Sequence, residues 1–217
     1  MNTDNINYNL ILKNKLKELE VSNTLPTLLL HSCCAPCSSA VLFRLCKHFE
    51  ITVFYYNPNI TDENEYQKRL TEQKRFINLI NSGNVDEIKP VKPIKLISCD
   101  FSKLDWENEV EGLEKEPEGG ARCFKCYTLR LLKTAIKAKQ NNFDYFGTTL
   151  TVSPYKNSKW LNEIGKALEE THKVNFLYSD FKKENGYKLS IELSHKYGLY
   201  RQNYCGCVYS QAQKKEQ

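Results

Sequence analysis

The strongest constraint on the fold is an alternation of short apolar runs with longer amphipathic ones. The runs Thr27–Ser32, Ile51–Tyr56, Ile94–Cys99, Phe143–Thr149 and Val174–Tyr178 are rich in β-branched, aromatic or leucine side chains, and their shortness marks them as buried strands. Between them, helical spacing predicts a helix from Glu63 to Ser82, where Tyr66, Leu70, Ile77 and Ile80 share a face and Gly83 can cap the end. Further helices are predicted over Cys126–Lys139, with Leu129, Leu132 and Ile136 aligned, and after Ser158, with Leu161, Ile164 and Leu168 aligned. Such β–α alternation implies an α/β fold: a mostly parallel sheet flanked by helices on both faces, joined by right-handed crossovers. Ligands then sit beyond the carboxyl ends of the strands. The segments expected at that edge are "HSCCAPCSS", "YYNPNI" and "TTLTVSPYKNS".

A chain of 217 residues suits one sizeable core. Residues 1–26 are expected to form a helical N-terminal extension, and residues 27–217 one α/β domain. The net charge of +5, from 31 basic against 26 acidic residues, permits a polyanionic partner without requiring one. No run reaches the length of a membrane span, and the start "MNTDNINYNLILKNKLKELE" lacks the order of a secretory signal. The expected location is therefore cytoplasmic, with no membrane partner.

In a reducing compartment nine cysteines, an odd number, do not suggest a disulfide framework, and metal binding or redox chemistry becomes the leading use. Seven of them fall into three tight groups: Cys33, Cys34 and Cys37 in "CCAPC", Cys123 and Cys126 in "CFKC", and Cys205 and Cys207 in "CGC". A C-x-x-C at a turn or helix start directs two sulfurs to one point, and two such corners make a four-thiolate pocket. Zinc and iron–sulfur clusters both accept that set, but seven thiols in three unlike groups leave a surplus that zinc does not explain. Two cysteines one residue apart close only a strained disulfide, which favours an electron-carrying dithiol for Cys205 and Cys207, with two further metal ligands as the alternative. The helix begun by Pro36 would aim its amides at the thiolates of Cys33, Cys34 and Cys37, which helps a ligand and a nucleophile equally. Cys46 and Cys99 read as buried free thiols.

Other residues are candidates for substrate contact. Arg122, Lys125, Arg130, Lys133, Lys137 and Lys139 form a run without an acid, which could hold phosphates or be a solvated helix face. Thr148, Thr149, Thr151, Ser153, Tyr155, Lys156 and Asn157 supply hydroxyls, amide and ammonium suited to a polar fragment such as a sugar, a cyclopentanediol or a phosphate. Tyr56 could stack on a base while Asn57 and Asn59 read its edge, although Asn-Pro is equally an ordinary turn. Tyr204 could stack or donate a proton, and Arg201 could meet a phosphate. His31 at a strand end fits a hydrogen-bonded structural histidine better than a proton donor.

The strings "LLLHSCCAPCSS", "FYYNPNI", "EPEGGARCFKCYTLRL", "GTTLTVSPYKNS" and "GLYRQNYCGCVYS", in that order, resemble the epoxyqueuosine reductases of the QueH type over nearly the whole chain after residue 26. The resemblance implies a nucleotide α-hydrolase-like (HUP, Rossmann-like) fold for the catalytic domain. It also implies cobalamin-independent reduction of epoxyqueuosine to queuosine at the wobble position of tRNA, the last step of queuosine synthesis. By the same resemblance Cys33, Cys34, Cys123 and Cys126 look like the ligands of a [4Fe–4S] cluster, Cys205 and Cys207 like the redox-active pair, and Cys37 like a nearby extra ligand. An additional mononuclear iron is left open, and the electron donor is unidentified. Converting the epoxide to an alkene takes two electrons and two protons and releases water. Iron can act as Lewis acid and deliver electrons singly, and a dithiol can store two. Two other readings compete. A tRNA sulfur transferase on this fold would need a glycine-serine-rich ATP loop where "HSCCAPCSS" stands, and a zinc-stabilised RNA-binding module would carry zinc without sulfide.

Overall fold

The computed structural model describes residues 6–215; residues 1–5 of the expected extension and residues 216–217 of the expected domain lie outside the described residues. Helix α1 (Tyr8–Ser22) leads into strand β1 (Thr27–His31), helix α2 (Ala35–Leu45) and strand β2 (Glu50–Tyr55). Helix α3 (Glu63–Asn81), strand β3 (Lys95–Ser98), helix α4 (Leu104–Val110), helix α5 (Ala121–Gln140) and strand β4 (Tyr145–Thr148) follow. A 3-10 turn at Leu150–Val152 then precedes α6 (Ser158–His172), β5 (Asn175–Phe176), α7 (Gly186–Lys196) and α8 (Val208–Lys215).

All five strands run parallel, in the order β3-β2-β1-β4-β5, so the architecture is the expected Rossmann-like α/β one. β1 lies at the centre, with Leu29 opposite Thr52 on one side and Phe146 on the other. Because successive side chains of a strand face opposite ways, "LLLH" serves two cores. Leu28 and Leu30 join Ile51 and Val53 beneath α1, α2 and α3, where Leu12, Leu45, Phe76 and Ile80 pack. Leu29 joins Phe54, Phe146 and Phe176 beneath α5 and α6, where Leu131, Ala135, Leu161 and Ile164 pack. α1 is thus tied to the sheet through Leu12 and Leu19.

The helix ends follow side-chain chemistry. Asp62 caps α3 by accepting from the Glu65 N–H at 2.8 Å, and Asn157 caps α6 by accepting from the Trp160 N–H at 3.1 Å. The strands are shorter than the apolar runs, most clearly at β5, whose ladder reduces to Asn175 and Phe176. α5 starts at Ala121, ahead of the expected Cys126, because its first turn is held by Arg122 and two cysteines, none of which registers as apolar periodicity. No helix among the described residues is long and apolar enough to cross a membrane.

α6 meets the sheet so closely that a Cβ added at Gly165 would lie 2.3 Å from Phe176 Cε1. Gly165→Ala is expected to destabilise the fold by about 1–3 kcal/mol through overpacking. The check is the denaturant midpoint, and an unchanged midpoint would mean that α6 and β5 separate at no cost.

Candidate active site

In an open parallel sheet the crevice for ligands lies where neighbouring crossovers depart in opposite directions, here between the carboxyl ends of β1 and β4. The turn after β1 carries Cys33 and Cys34 and starts α2, whose first two residues are Ala35 and Pro36. Proline suits that place because its missing N–H would be unpaired in any case. Buried Gln73 of α3 fastens the turn, with its carboxamide oxygen accepting from Ser32 Oγ at 2.9 Å and Ser38 Oγ at 3.2 Å.

Six of the seven grouped cysteines line two adjoining cavities, and the seventh, Cys34, lies buried beside Cys33. The first, about 140 Å³, is lined by Cys33, Cys37 and Cys205, by Ser153, Tyr155 and Lys156 after β4, and by Arg130, Arg201 and Tyr204. The second and smaller one is lined by Cys123, Cys126, Cys205 and Cys207 with Asn59, Trp106 and Arg122. Cys205 lies on the wall that both share. The sulfurs of Cys33, Cys34 and Cys37 lie within 4.8 Å of one another and can hold a metal ion. Cys123 also packs against the apolar cluster that contains Cys33 and Cys34, so the "CFKC" helix start reaches both cysteine groups.

The "CGC" turn is fastened from three sides. Arg69 donates from Nη1 to the Cys205 carbonyl at 3.1 Å and from Nη2 to the Tyr204 carbonyl at 3.4 Å. The Thr61 N–H donates to the Gly206 carbonyl at 3.2 Å, and the Cys205 N–H donates to Ser210 Oγ at 3.1 Å. Gly206 has φ +119°, and a Cβ there would lie 2.9 Å from Ile60 Cγ1, so the tight turn needs glycine. Gln202 donates from Nε2 to Cys34 Sγ at 2.9 Å, which joins the C-terminal segment to the first cysteine group.

The electrostatics of these thiols are set by each other and by buried cations. Hydrogen bonds from Cys34 and Cys37, aided by Lys156 and Arg130, hold the Cys33 thiol well below its ordinary range. Burial, together with the charge on Cys33, pushes Cys34 up to about 12, while the same two neighbours raise Cys37. Burial pushes Cys126 up to about 11 and Cys207 up to about 12. Burial alone would lower the Lys156 ammonium, but the thiols of Cys205 and Cys33 outweigh it and raise it. A group of thiols in this setting carries full negative charge most readily when a cation or metal shares it.

His31 is fully buried, and desolvation with the nearby Arg130 charge lowers it to about 3, which keeps the ring neutral. Its Nδ1 pairs with Thr148 Oγ1 at 2.9 Å, and its Nε2 lies 3.1 Å from the Tyr56 carbonyl oxygen and 3.3 Å from Arg130 Nε. The structural reading of His31 is the one this geometry favours.

The candidate substrate residues divide. Ser153, Tyr155, Lys156, Arg201 and Tyr204 line the first cavity; Asn59 and Arg122 line the second. Tyr56, Asn57, Thr148 and Thr149 line neither. The Tyr56 hydroxyl donates to Asp105 at 2.9 Å, Asn57 is committed to Ser32 and Arg130, and Thr148 serves His31. At or just past the strand ends, Asn57, Thr148 and Thr149 are buried and Tyr56 is half-buried. Arg122 is 2% exposed and donates from Nη1 to the carbonyls of Leu113, Glu114 and Glu116, a geometry that clamps a loop and leaves little for a phosphate. The basic run is likewise broken, because Arg130 is buried, Lys125 pairs with Glu109 and Lys133 with Asp105. Cys46 is buried in the core as expected, whereas Cys99 is half-buried.

Gln202, Glu118 and Tyr187, which also line the first cavity, and Arg69, which holds the Cys205 carbonyl, carry no signal of their own in the sequence that marks them as site residues. Arg69 sits in an ordinary helical pattern, and only the fold brings it under the "CGC" turn. Gln202 lies inside "GLYRQNYCGC", so proximity to the cysteines was its one available signal.

A model of the family described as "Epoxyqueuosine reductase QueH" matches residues 28–213. A protein of that name from Streptococcus pyogenes serotype M1 is 40% identical over 94% of this chain and 78% of its own length. Proteins of the same name from Staphylococcus epidermidis and Staphylococcus aureus are 38% and 39% identical, over 97% and 99% of this chain and 87% and 88% of their own lengths. The chain belongs to the epoxyqueuosine reductase QueH family.

Arg122→Met is expected to cost about 2 kcal/mol or more of stability by orphaning three carbonyls, while leaving affinity for RNA within twofold or so of wild type. Thermal unfolding and filter binding separate the two effects. A loss confined to RNA affinity would restore Arg122 as a substrate contact.

Proposed function

We propose that this chain is a cytoplasmic oxidoreductase that reduces epoxyqueuosine to queuosine at the wobble position of tRNA. Cys33, Cys34, Cys123 and Cys126 are the proposed ligands of a [4Fe–4S] cluster, and Cys205 and Cys207 the redox-active pair. The observation that carries this reading is the convergence of six cysteines, from segments far apart in sequence, on two cavities that share Cys205, with Cys34 grouped beside Cys33 and Cys37, in a chain of this family. The all-sulfur donor set fits the cluster, and so does the buried guanidinium of Arg130, which no carboxylate neutralises. Cys37, nearest to Cys33 and Cys34, remains free for an additional iron or for substrate.

When bound, the cluster supplies single electrons and a Lewis-acidic iron. The chain's own residues do the rest. Ser153, Lys156 and Arg201 present hydroxyl, ammonium and guanidinium to the first cavity, a set that can orient the epoxycyclopentanediol of the modified base. Tyr155, largely exposed at the rim, offers a ring on which a neighbouring base can stack once the modified base is splayed out. Lys156, kept protonated by the thiols around it, can stabilise the oxygen as the C–O bond breaks. The oxygen leaves as water after two protons and two electrons arrive. An unidentified cellular reductant recharges Cys205 and Cys207 by thiol exchange.

Anaerobic purification is expected to yield iron and acid-labile sulfide, and reductant with epoxyqueuosine-containing tRNA is expected to yield queuosine on nucleoside analysis. Unchanged nucleoside with an intact cluster would refute the assigned reaction, and stoichiometric zinc without sulfide would favour the RNA-binding alternative. Cys205→Ser is expected to keep iron and sulfide yet lose turnover, at least about a hundredfold if the pair carries the electrons. Loss of the cluster instead would make Cys205 a ligand.

A further inference from the structure

Four cations reach the thiols: Arg69, Lys156, Arg130 and Arg122, the last of which spends its Nη1 on three loop carbonyls. Arg69 is buried but carries its own counter-ion, with Nε 2.6 Å from Glu65 Oε1. Lys156 is partly exposed, so water shares its charge. Arg130 has neither. It is 0% exposed, and its polar partners are His31 Nε2 at 3.3 Å, Asn57 Oδ1 at 2.7 Å and Cys126 Sγ at 4.0 Å from Nη1. His31 and Asn57 offer no negative charge. A guanidinium cannot lose its proton at accessible pH, and sealing it from water without an anion is strongly disfavoured.

Glu118 lines the first cavity too, but it is exposed and its Oε2 accepts from Ser210 Oγ at 3.0 Å; the groups of opposite sign that act on Arg130 are the sulfurs of Cys126, Cys33 and Cys205. Arg130 follows Cys126 by four residues on α5, one turn along the same face, and it lines the first cavity beside Cys33, Cys37 and Cys205. It therefore stands between the two cysteine groups. The arrangement is explained if the centre between those groups carries net negative charge in the working protein.

We propose that Arg130 is the fixed counter-charge of the thiolate-bound metal centre, a positioning residue that raises both its affinity for the chain and its reduction potential. His31 and Asn57, held in turn by Thr148 and Ser32, aim the fork at the sulfurs. The proposal rests on the cluster assignment above for its potential, and on the cysteine geometry alone for its affinity. A permanent positive charge favours the more negative, reduced form. At about 4 Å in a partly screened interior the effect exceeds tenfold in an equilibrium constant.

The test uses full-length chain purified anaerobically as wild type, Arg130→Lys and Arg130→Gln, with Arg130→Met as a second uncharged variant if Arg130→Gln does not fold by circular dichroism. In spectroscopic redox titrations the uncharged variant is expected to be harder to reduce by tenfold or more in the one-electron constant, about 59 mV or more to the negative side. Arg130→Lys is expected to recover most of the shift. An uncharged variant with full iron and sulfide and the wild-type potential would overturn the proposal, as would Arg130→Lys matching the uncharged variant. Wild type without iron or sulfide would instead defeat the cluster reading. The counter-charge is then read from Zn²⁺ affinity of the reduced chain by chelator competition, where the uncharged variant is expected to bind at least about tenfold more weakly. Equal affinity would overturn it.

Discussion

The structure depends on β1 lying between two parallel neighbours. A strand buried on both faces must be apolar throughout, and "TLLL" is; it pairs with β2 on one side and β4 on the other. Since all three strands point the same way, the segments that leave them emerge at one edge. One carries Cys33, Cys34 and Cys37, the second carries Tyr56 to Asn59, and the third carries Ser153 to Lys156. No single segment contains a site. The parallel pairing assembles one from pieces far apart in sequence, and the last pieces come from outside the sheet: "CFKC" on α5 and "CGC" near the C-terminus.

Around those pieces the chain manages charge in an unusual way. Buried cations are ordinarily matched to carboxylates, as Arg69 is to Glu65. At the crevice the acids are absent from the buried shell, and neutral groups such as His31, Asn57, Gln73 and Gln202 do the orienting. Neutral donors and acceptors fix positions without cancelling charge. The positive potential is thereby reserved for the sulfurs and for whatever shares them.

Much of this was legible in the sequence, for physical reasons that can be stated. Strands buried on both faces announce themselves as continuous apolar runs, so all five were found, with β5 overextended because apolar character at Leu177 and Tyr178 continues past the ladder. The cysteine groups were legible because their spacing is rare. What the sequence could not display was which polar residues face a cavity. Arg122 and Arg130 lie eight positions apart on either side of "CFKC", yet one binds three carbonyls and the other faces sulfur, a distinction that depends on the loop at 113–116 and on β1. Tyr56, Asn57, Thr148 and Thr149 look like ligand-binding loop residues, but positions at the end of a parallel strand are still under the helices, where Asn57 and Thr148 act as supports and Tyr56 is tied to Asp105. Arg69 and Gln202 act across more than a hundred residues, and no local pattern encodes that.

The bond from Gln202 to Cys34 spans 168 positions, and it has a consequence for how the protein is made. During synthesis β1 and the "CCAPC" turn leave the ribosome when most of the chain is still unmade. Until residues 201–207 follow, one wall of both cavities is missing and the first thiols stand open to oxidants and stray metals. The turn after β1 is closed only once the segment carrying Gln202 has been made and has folded back onto it, so a chain cut before that segment leaves Cys34 without this partner.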